Sequence, residues 1–158
     1  MDRLTREQRS KNMSRIGPKD TAPELGVRQI LRDIGFHYRL HAKDLPGRPD
    51  IVNRKRRIAV FVHGCFWHAH SCKRGKRPSS NKEFWYAKIA GNQKRDRANI
   101  AALRRNGWRV AVIWECQLKE PRRVRARLAQ LIARASPTPY RTSSDRRDAQ
   151  RHDARCKA

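Results

Sequence analysis

Acidic residues are scarce in this chain: 14 Asp+Glu stand against 39 Lys+Arg over 158 residues, a formal net charge of +25. That imbalance far exceeds what solubility requires, and a chain so charged repels itself unless it meets a polyanion. DNA or RNA is the expected partner, since every phosphate neutralised by Lys or Arg releases counterions. A basic structural protein of the ribosomal kind is the alternative that charge alone leaves open. Long apolar runs are missing too. None approaches the roughly 18 residues of a membrane-spanning helix, and Met1-Asp2-Arg3-Leu4-Thr5 lacks the apolar core of a signal peptide. The expectation is a cytosolic chain with no membrane partner, in a compartment where cysteines serve metals or catalysis more often than disulfides. Cysteine and histidine number only 4 and 6, yet two of the Cys and three of the His lie within residues 61–72.

At this length one domain with a real hydrophobic core is expected. Thr5-Arg6-Glu7-Gln8 reads as a capping box opening a short charged helix to about Ile16, which Gly17-Pro18 breaks. Thr21-Ala22-Pro23-Glu24 is a second capping box, and Leu25, Val27, Ile30, Leu31 and Ile34 form a helical stripe that Gly35 ends. Phe36 to Leu40 alternates like a strand, residues 43–49 form a loop, and Asp50-Ile51-Val52 opens a second strand. The continuous apolar run Ile58 to Val62 suits a buried central strand. Ser80-Asn81-Lys82-Glu83 caps a long helix reaching Asn106 and closed by Gly107; Trp108 to Trp114 is a fourth strand. Glu120-Pro121 starts a last helix with Val124, Leu128, Leu131 and Ile132 on one face. Residues 136–158 hold 6 Lys+Arg, 3 Asp and almost no large apolar residues, leaving +22 of the charge to residues 1–135. That composition is expected of a basic, disordered tail. The order helix, helix, three strands, helix, strand, helix belongs to the α/β class.

Cys65-x4-His70-x-Cys72 has the close spacing through which one loop can supply three of the four N/S ligands of zinc. The fourth must come from elsewhere. Cys116, just past the strand ending at Trp114, is the first candidate, His68 competes, and Cys156 is expected to be a free thiol. Reduced cysteines without a metal are the plain alternative. Asp50 follows Pro46-Gly47-Arg48-Pro49 and precedes an apolar strand. Many metal-dependent nucleases share this skeleton, a Pro-Asp pair and then a strand carrying Glu-x-Lys. Phe61-Val62-His63 occupies those positions here, so the second carboxylate is missing and His63 stands in place of the Lys. An acid after proline is otherwise a turn residue. Phe66-Trp67 sits in a polar, ligand-rich loop from which both rings cannot enter a core. Base stacking is one use for the pair, and lidding a metal site is another for one of them. Phe84-Trp85 opens the long helix, where aromatics are usually core. Asn92 and Asp96, four apart among Lys88, Lys94, Arg95 and Arg97, read as a solvated helix face.

Taken together, Arg9-Ser-Lys-Asn-Met-Ser-Arg-Ile16, Leu45-Pro-Gly-Arg-Pro-Asp50, Phe61-Val-His-Gly-Cys-Phe-Trp-His68 and Trp108 to Cys116 resemble the Vsr family, the bacterial very-short-patch repair endonucleases, over about residues 5–135. His-Gly-Cys-Phe-Trp-His is the most specific part. The resemblance implies a restriction-endonuclease-like fold, a central mixed sheet flanked by helices with a structural zinc site. The domain would span residues 1–135, with residues 1–18 as a DNA-contacting helix. It implies a cytoplasmic, nucleoid-associated monomer that nicks double-stranded DNA 5′ to the T of a T·G mismatch left by deamination of 5-methylcytosine. Mismatch-repair proteins would be further partners. Asp50 would bind Mg²⁺ with the backbone carbonyl of Val62 and waters held by Glu24. His63 and His68 would act at the scissile phosphate, with Asp96 orienting His68. Cys65, His70, Cys72 and Cys116 would bind structural zinc. Phe66, Trp67 and Trp85 would wedge beside the mismatch, with Met13 and Ile16 touching the minor groove. The chain departs from the family at Val62, where some relatives carry a hydroxyl residue. It departs also at Ala69 and Ser71, which interrupt a His run, and in its extended basic tail.

A histidine near its ordinary pKa of about 6.5 is expected to take the proton of the attacking water. Two rival functions use the same charge and aromatics. A zinc-bearing nucleic-acid-binding module without catalysis has no use for Asp50 and His63 on neighbouring strands. A restriction endonuclease of the same fold does.

Overall fold

Apolar residues at every position from Ile58 to Val62 need cover on both faces, and they find it. In the computed structural model, which describes residues 20–79 and 81–135, β3 (Ile58–His63) lies in the interior of a four-stranded mixed sheet. β2 (Ile51–Asn53) pairs antiparallel on one side and β1 (Arg39–Leu40) pairs antiparallel beyond it. β4 (Arg109–Trp114) runs parallel to β3 on the other side. A parallel neighbour requires a crossover, and the long helix α2 (Lys82–Arg105) lies in it. With α1 (Ala22–Asp33) and α3 (Pro121–Ala133) the fold is α/β, in the element order expected.

Strand alternation divides the core in two. Ile51, Ile58, Val60, Ala111 and Ile113 pack with Val27, Ile30 and Leu31 of α1 and Val124 and Leu128 of α3. Val52, Ala59 and Phe61 point the other way and pack with Leu103 of α2. Burying each large aliphatic side chain contributes about 1.5–3 kcal/mol, so these layers outweigh any single cap or turn. The same alternation aims the chemistry. Ile51 faces Val60 and Val52 faces Ala59 across the β2–β3 ladder. One step further, Asp50 stands opposite Phe61, and His63 follows two residues on, so both belong to the face covered by α2.

Several local details differ from expectation. The strand expected over 36–40 is only Arg39–Leu40, because Phe36 belongs to the end of α1. Gly35 (φ 73) donates its N–H to the Arg32 carbonyl at 2.8 Å, and Phe36 donates to Leu31 at 3.0 Å, burying its ring in the first core. The capping box at Thr21 does not form. Its hydroxyl donates to Glu24 Oε1 at 2.9 Å, because the Glu24 carboxylate is buried against Arg28. α2 starts from Asn81 in the left-handed region with no side-chain cap bond, and Ser80 lies outside the described residues. The expected helix at 5–16 with Met13 and Ile16, Cys156 and the tail at 136–158 also lie outside them. No helix among the described residues is long and apolar enough to cross a membrane.

Candidate active site

The approach to the site is a tight turn. Arg48 N–H donates to the Leu45 carbonyl at 3.0 Å, with Pro46 and Gly47 (φ 73) between them, the residue types that a type II turn requires. Gly47 rests on α2, where an added Cβ would stand 2.8 Å from Asn99 Cβ. Arg48 itself takes φ 51, an unusual value for a side-chain-bearing residue and one that costs about 1–2 kcal/mol. The turn delivers Asp50 to the start of β2.

Asp50 Oδ2 accepts the Val62 backbone N–H at 2.8 Å, tying the carboxylate to β3. Burial pushes its pKa up, the Val62 hydrogen bond pulls against that, and the like charge of Glu24 adds to the rise. His63, only 7% exposed, stacks face to face on His68 with ring centroids 3.8 Å apart and planes 9° from parallel. His68 Nδ1 lies 2.5 Å from Asp96 Oδ2. Arg48, Asp50, His63, His68, Asp96 and Asn99 all line one cleft of about 180 Å³. Burial, and then the charge of His68, push His63 down to about 4. His63 therefore does not sit near its ordinary value, as expected of a proton acceptor: the α2-covered face of the sheet removes it from water, and it is neutral at pH 7.

The α2 face read as solvated is docked instead. Asn92 Nδ2 donates to the Trp67 carbonyl at 2.9 Å and Gln93 Nε2 to the His68 carbonyl at 3.3 Å, while Asp96 meets His68. Spacing alone gave Asn92 and Asp96 a shared helix face; the pairing of Asp96 with His68 was expected only from the family resemblance, and that of Asn92 with the Trp67 carbonyl was not expected. Glu24 does not line this cleft. Its carboxylate accepts from the Thr21 hydroxyl, the Asp20 N–H and Arg28 Nη2. Arg28, 5% exposed, also meets Asp20 Oδ1 and His41 Nε2 (3.3 Å). It supplies the positive charge among three potential ligands, Asp20, Glu24 and His41. Sequence reasoning missed Arg28, although a basic residue next to Val27 on the apolar stripe was a signal.

A second cluster begins two residues beyond His63. The ligand atoms of Cys65, His70, Cys72 and Cys116 all lie within 4.8 Å of one another, so this set could hold a metal. Cys116 arrives on the 3-10 turn Glu115–Lys119 directly after β4, its Sγ 3.5 Å from His70 Nδ1. His68, the competing fourth ligand, turns to Asp96 instead. Burial pushes the fully enclosed Cys65 thiol up to about 12, whereas the hydrogen bond with His70 draws Cys72 down to about 6. Backbone bonds close the loop: His70 N–H to the Cys65 carbonyl (3.0 Å) and Gly75 N–H to the Cys72 carbonyl (2.9 Å). Gly75 was also missed. A Cβ there would stand 1.9 Å from the His70 carbonyl oxygen, so only glycine allows this closure.

The aromatics gather beside this loop. The Phe66 ring meets Trp67 and Trp85 edge-on, each at 5.2 Å between centroids, and Lys88 Nζ lies 5.6 Å from the Trp67 ring centre. Phe66, Trp67 and Trp85 are half-buried, whereas Phe84 is 49% exposed and not core.

A family model described as "DNA mismatch endonuclease Vsr" matches residues 1–74. The Type II nicking enzyme V.XorIIP of Xanthomonas oryzae pv. oryzae is 48% identical over 131 residues, 83% of this chain and 96% of that protein. The Type II nicking enzyme V.NmeAIP of Neisseria meningitidis serogroup A is 45% identical over 131 residues, 83% and 94% of the two chains. The DNA mismatch endonuclease Vsr of Escherichia coli is 46% identical over 111 residues, 70% of this chain and 71% of that protein. Similarity at this level spans β1 to β4 and the elements between them, and the chain belongs to the Vsr family and is a DNA endonuclease.

Proposed function

We propose that this endonuclease nicks one strand of duplex DNA 5′ to the T of a T·G mismatch left by deamination of 5-methylcytosine. It would use Mg²⁺ at the cleft and structural zinc in the Cys/His cluster, on a restriction-endonuclease-like frame. The observation that carries the reading is the single cleft shared by Asp50, the stacked His63 and His68, and Asp96. Family membership sets aside the rival without catalysis.

The residues suit both ions. Burial and Glu24 disfavour the charged form of Asp50, a cost that a hard dication would relieve. Asp50 and the Val62 carbonyl would hold Mg²⁺, and Glu24, outside the cleft lining but near enough for its charge to act on Asp50, would reach it only through waters; when bound the ion polarises the phosphate and stabilises the leaving oxyanion. Three thiols and an imidazole suit zinc.

His68 donates its Nδ1–H to Asp96, which fixes the tautomer and leaves Nε2 as the acceptor for the proton of the attacking water. Asp96 then faces the imidazolium that forms, the arrangement of an acid, an imidazole and a nucleophile in line. His63, neutral and stacked on His68, holds that ring in place and offers a hydrogen bond to the phosphate. Phe66, Trp67 and Trp85 would wedge into the step beside the mismatch. Unstacking costs a few kcal/mol, and less where pairing is already weak. The N-terminal segment with Met13 and Ile16 would add minor-groove contacts, and the enzyme would work as a monomer.

A second reading, a restriction-type enzyme of the same fold, takes support from relatives named Type II nicking enzymes. Nicking of a T·G duplex and of its matched counterpart separates the two. The mismatch reading expects cleavage only beside the mismatched T, and a Trp67→Ala variant with a lower mismatched-to-matched ratio. Equal cutting of both duplexes would establish the restriction-type reading.

A further inference from the structure

The cleft is short of positive charge. Asp50 and Asp96 line it and bring two carboxylates. The phosphodiester to be hydrolysed is nevertheless an anion whose non-bridging oxygens gather further charge in the transition state. Of the described residues that line the cleft with Asp50, Arg48 is the only Lys or Arg; Arg97 lines the adjoining hollow on the other side of His63, His68 and Asp96, away from Asp50. Arg48 is exposed, and among the described residues no carboxylate pairs with its guanidinium.

Its backbone is an independent observation. Arg48 has φ 51, directly after Gly47 at φ 73 and directly before the buried Pro49. Side-chain-bearing residues avoid that region, and residues before proline prefer extended backbone. Glycine would occupy this position at ease, so a long cationic side chain here works against the local fold. Strain of this kind concentrates where function requires a side chain at one place.

We propose that Arg48 is a further catalytic residue whose guanidinium binds the non-bridging oxygens of the scissile phosphate and holds the charge that builds on them. This rests on the reading of the cleft as the active centre. As the water oxygen bonds to phosphorus, the bond from phosphorus to the leaving sugar oxygen breaks and its electron pair stays on that oxygen. The water gives up one proton and the leaving oxygen takes one up. Arg48 takes part in neither transfer, because a guanidinium offers only donors and no lone pair for a proton, and its planar fork matches two phosphate oxygens at once.

The test uses the full chain and a T·G-mismatched duplex, with enzyme in excess so that a single turnover is read. Arg48→Gly removes the side chain and relieves the backbone. It should lower the nicking rate by about 10²–10³-fold, the usual loss for one preorganised transition-state donor. Duplex affinity should stay within about threefold and Tm at or above that of the parent. Guanidinium ion added well below denaturing concentrations should restore part of the lost rate. A rate within threefold of the parent, a loss matched by weaker binding, or a loss that guanidinium does not recover would each overturn the assignment. Asp50→Ala run alongside keeps the two readings apart. If that variant nicks normally the centre itself is misplaced, and if it is inactive while Arg48→Gly is not, only the role of Arg48 falls.

Discussion

The segment from His63 to Cys72 serves two clusters that are held in different ways. The Cys/His cluster is local: three of its donors come from residues 65–72, two backbone hydrogen bonds and Gly75 close the loop, and only Cys116 comes from afar. The cleft is distributed, with Asp50 from the start of β2, His63 from β3, His68 from the loop and Asp96 from α2. His68 lies between Cys65 and His70 in the chain, so its place in the cleft depends on closure of the cluster. The cluster draws most of its donors from its own loop, whereas the cleft needs that loop as well as β2, β3 and α2, and Asn92, Gln93 and Asp96 hold the loop from α2.

Breaking the cluster should therefore have the largest effect. Cys65→Ser or Cys116→Ser is expected to give insoluble protein without bound zinc and without nicking, while Cys156→Ser behaves like the parent. Soluble yield and metal content check this, with about one zinc per chain expected in the parent, released only on denaturation. A Cys65→Ser protein that folds and nicks would show that the cleft stands without the cluster.

Asp50→Ala should reduce nicking to below a few per cent of the parent rate and leave zinc content and mismatch binding intact. It should also raise Tm. Because burial and Glu24 lift the Asp50 pKa above its unfolded value, the folded chain binds the proton more tightly than the unfolded chain. Stability then falls as pH rises through the window above 3.8, and at pH 7 the charged Asp50 is a net cost that Ala removes. An Asp50→Ala variant that unfolds at lower temperature would contradict this account of the cleft.

His63→Ala and His68→Ala should each slow nicking by about 10²–10⁴-fold. Asp96→Asn, acting through His68, should cost less, and His37→Ala should be tolerated. Single-turnover rates decide between these, and equal losses at all four positions would mark a folding defect.

The smallest effect is on acid stability. The unfolded chain takes up a proton at His63 near pH 6.5, and the folded chain refuses it until about 4. Stability contributed by neutral His63 is complete above 6.5 and is lost as pH falls through that window. His63→Gln should consequently lose less Tm than the parent between pH 6.5 and 4, and equal losses would place His63 in contact with water.

Much of this was legible because it depends on neighbours in the chain. The both-sided apolar run at 58–62 announced an interior strand, and Gly107 closes α2 as expected, at φ 76. Cys65, His70 and Cys72 announced a cluster through their spacing. Asp50 and His63 were readable as a pair because strand alternation has a period of two, and adjacent strands share a face. The early end of the strand before Leu40 was not readable, since the preference of Phe36 for the core at the end of α1 outweighed its alternation.

Tertiary structure alone decided which partner each face meets and what charge its groups carry. Periodicity told that Asn92 and Asp96 share a side of α2, but only the packing of α2 on the sheet turned that side to the loop of His68. Cys116 became the fourth donor because β4 runs parallel beside β3, which brings the two strand ends together. His63 is neutral because elements distant in the chain exclude water from it, and desolvation depends on everything that surrounds a group, whereas a sequence pattern records only the group and its neighbours along the chain.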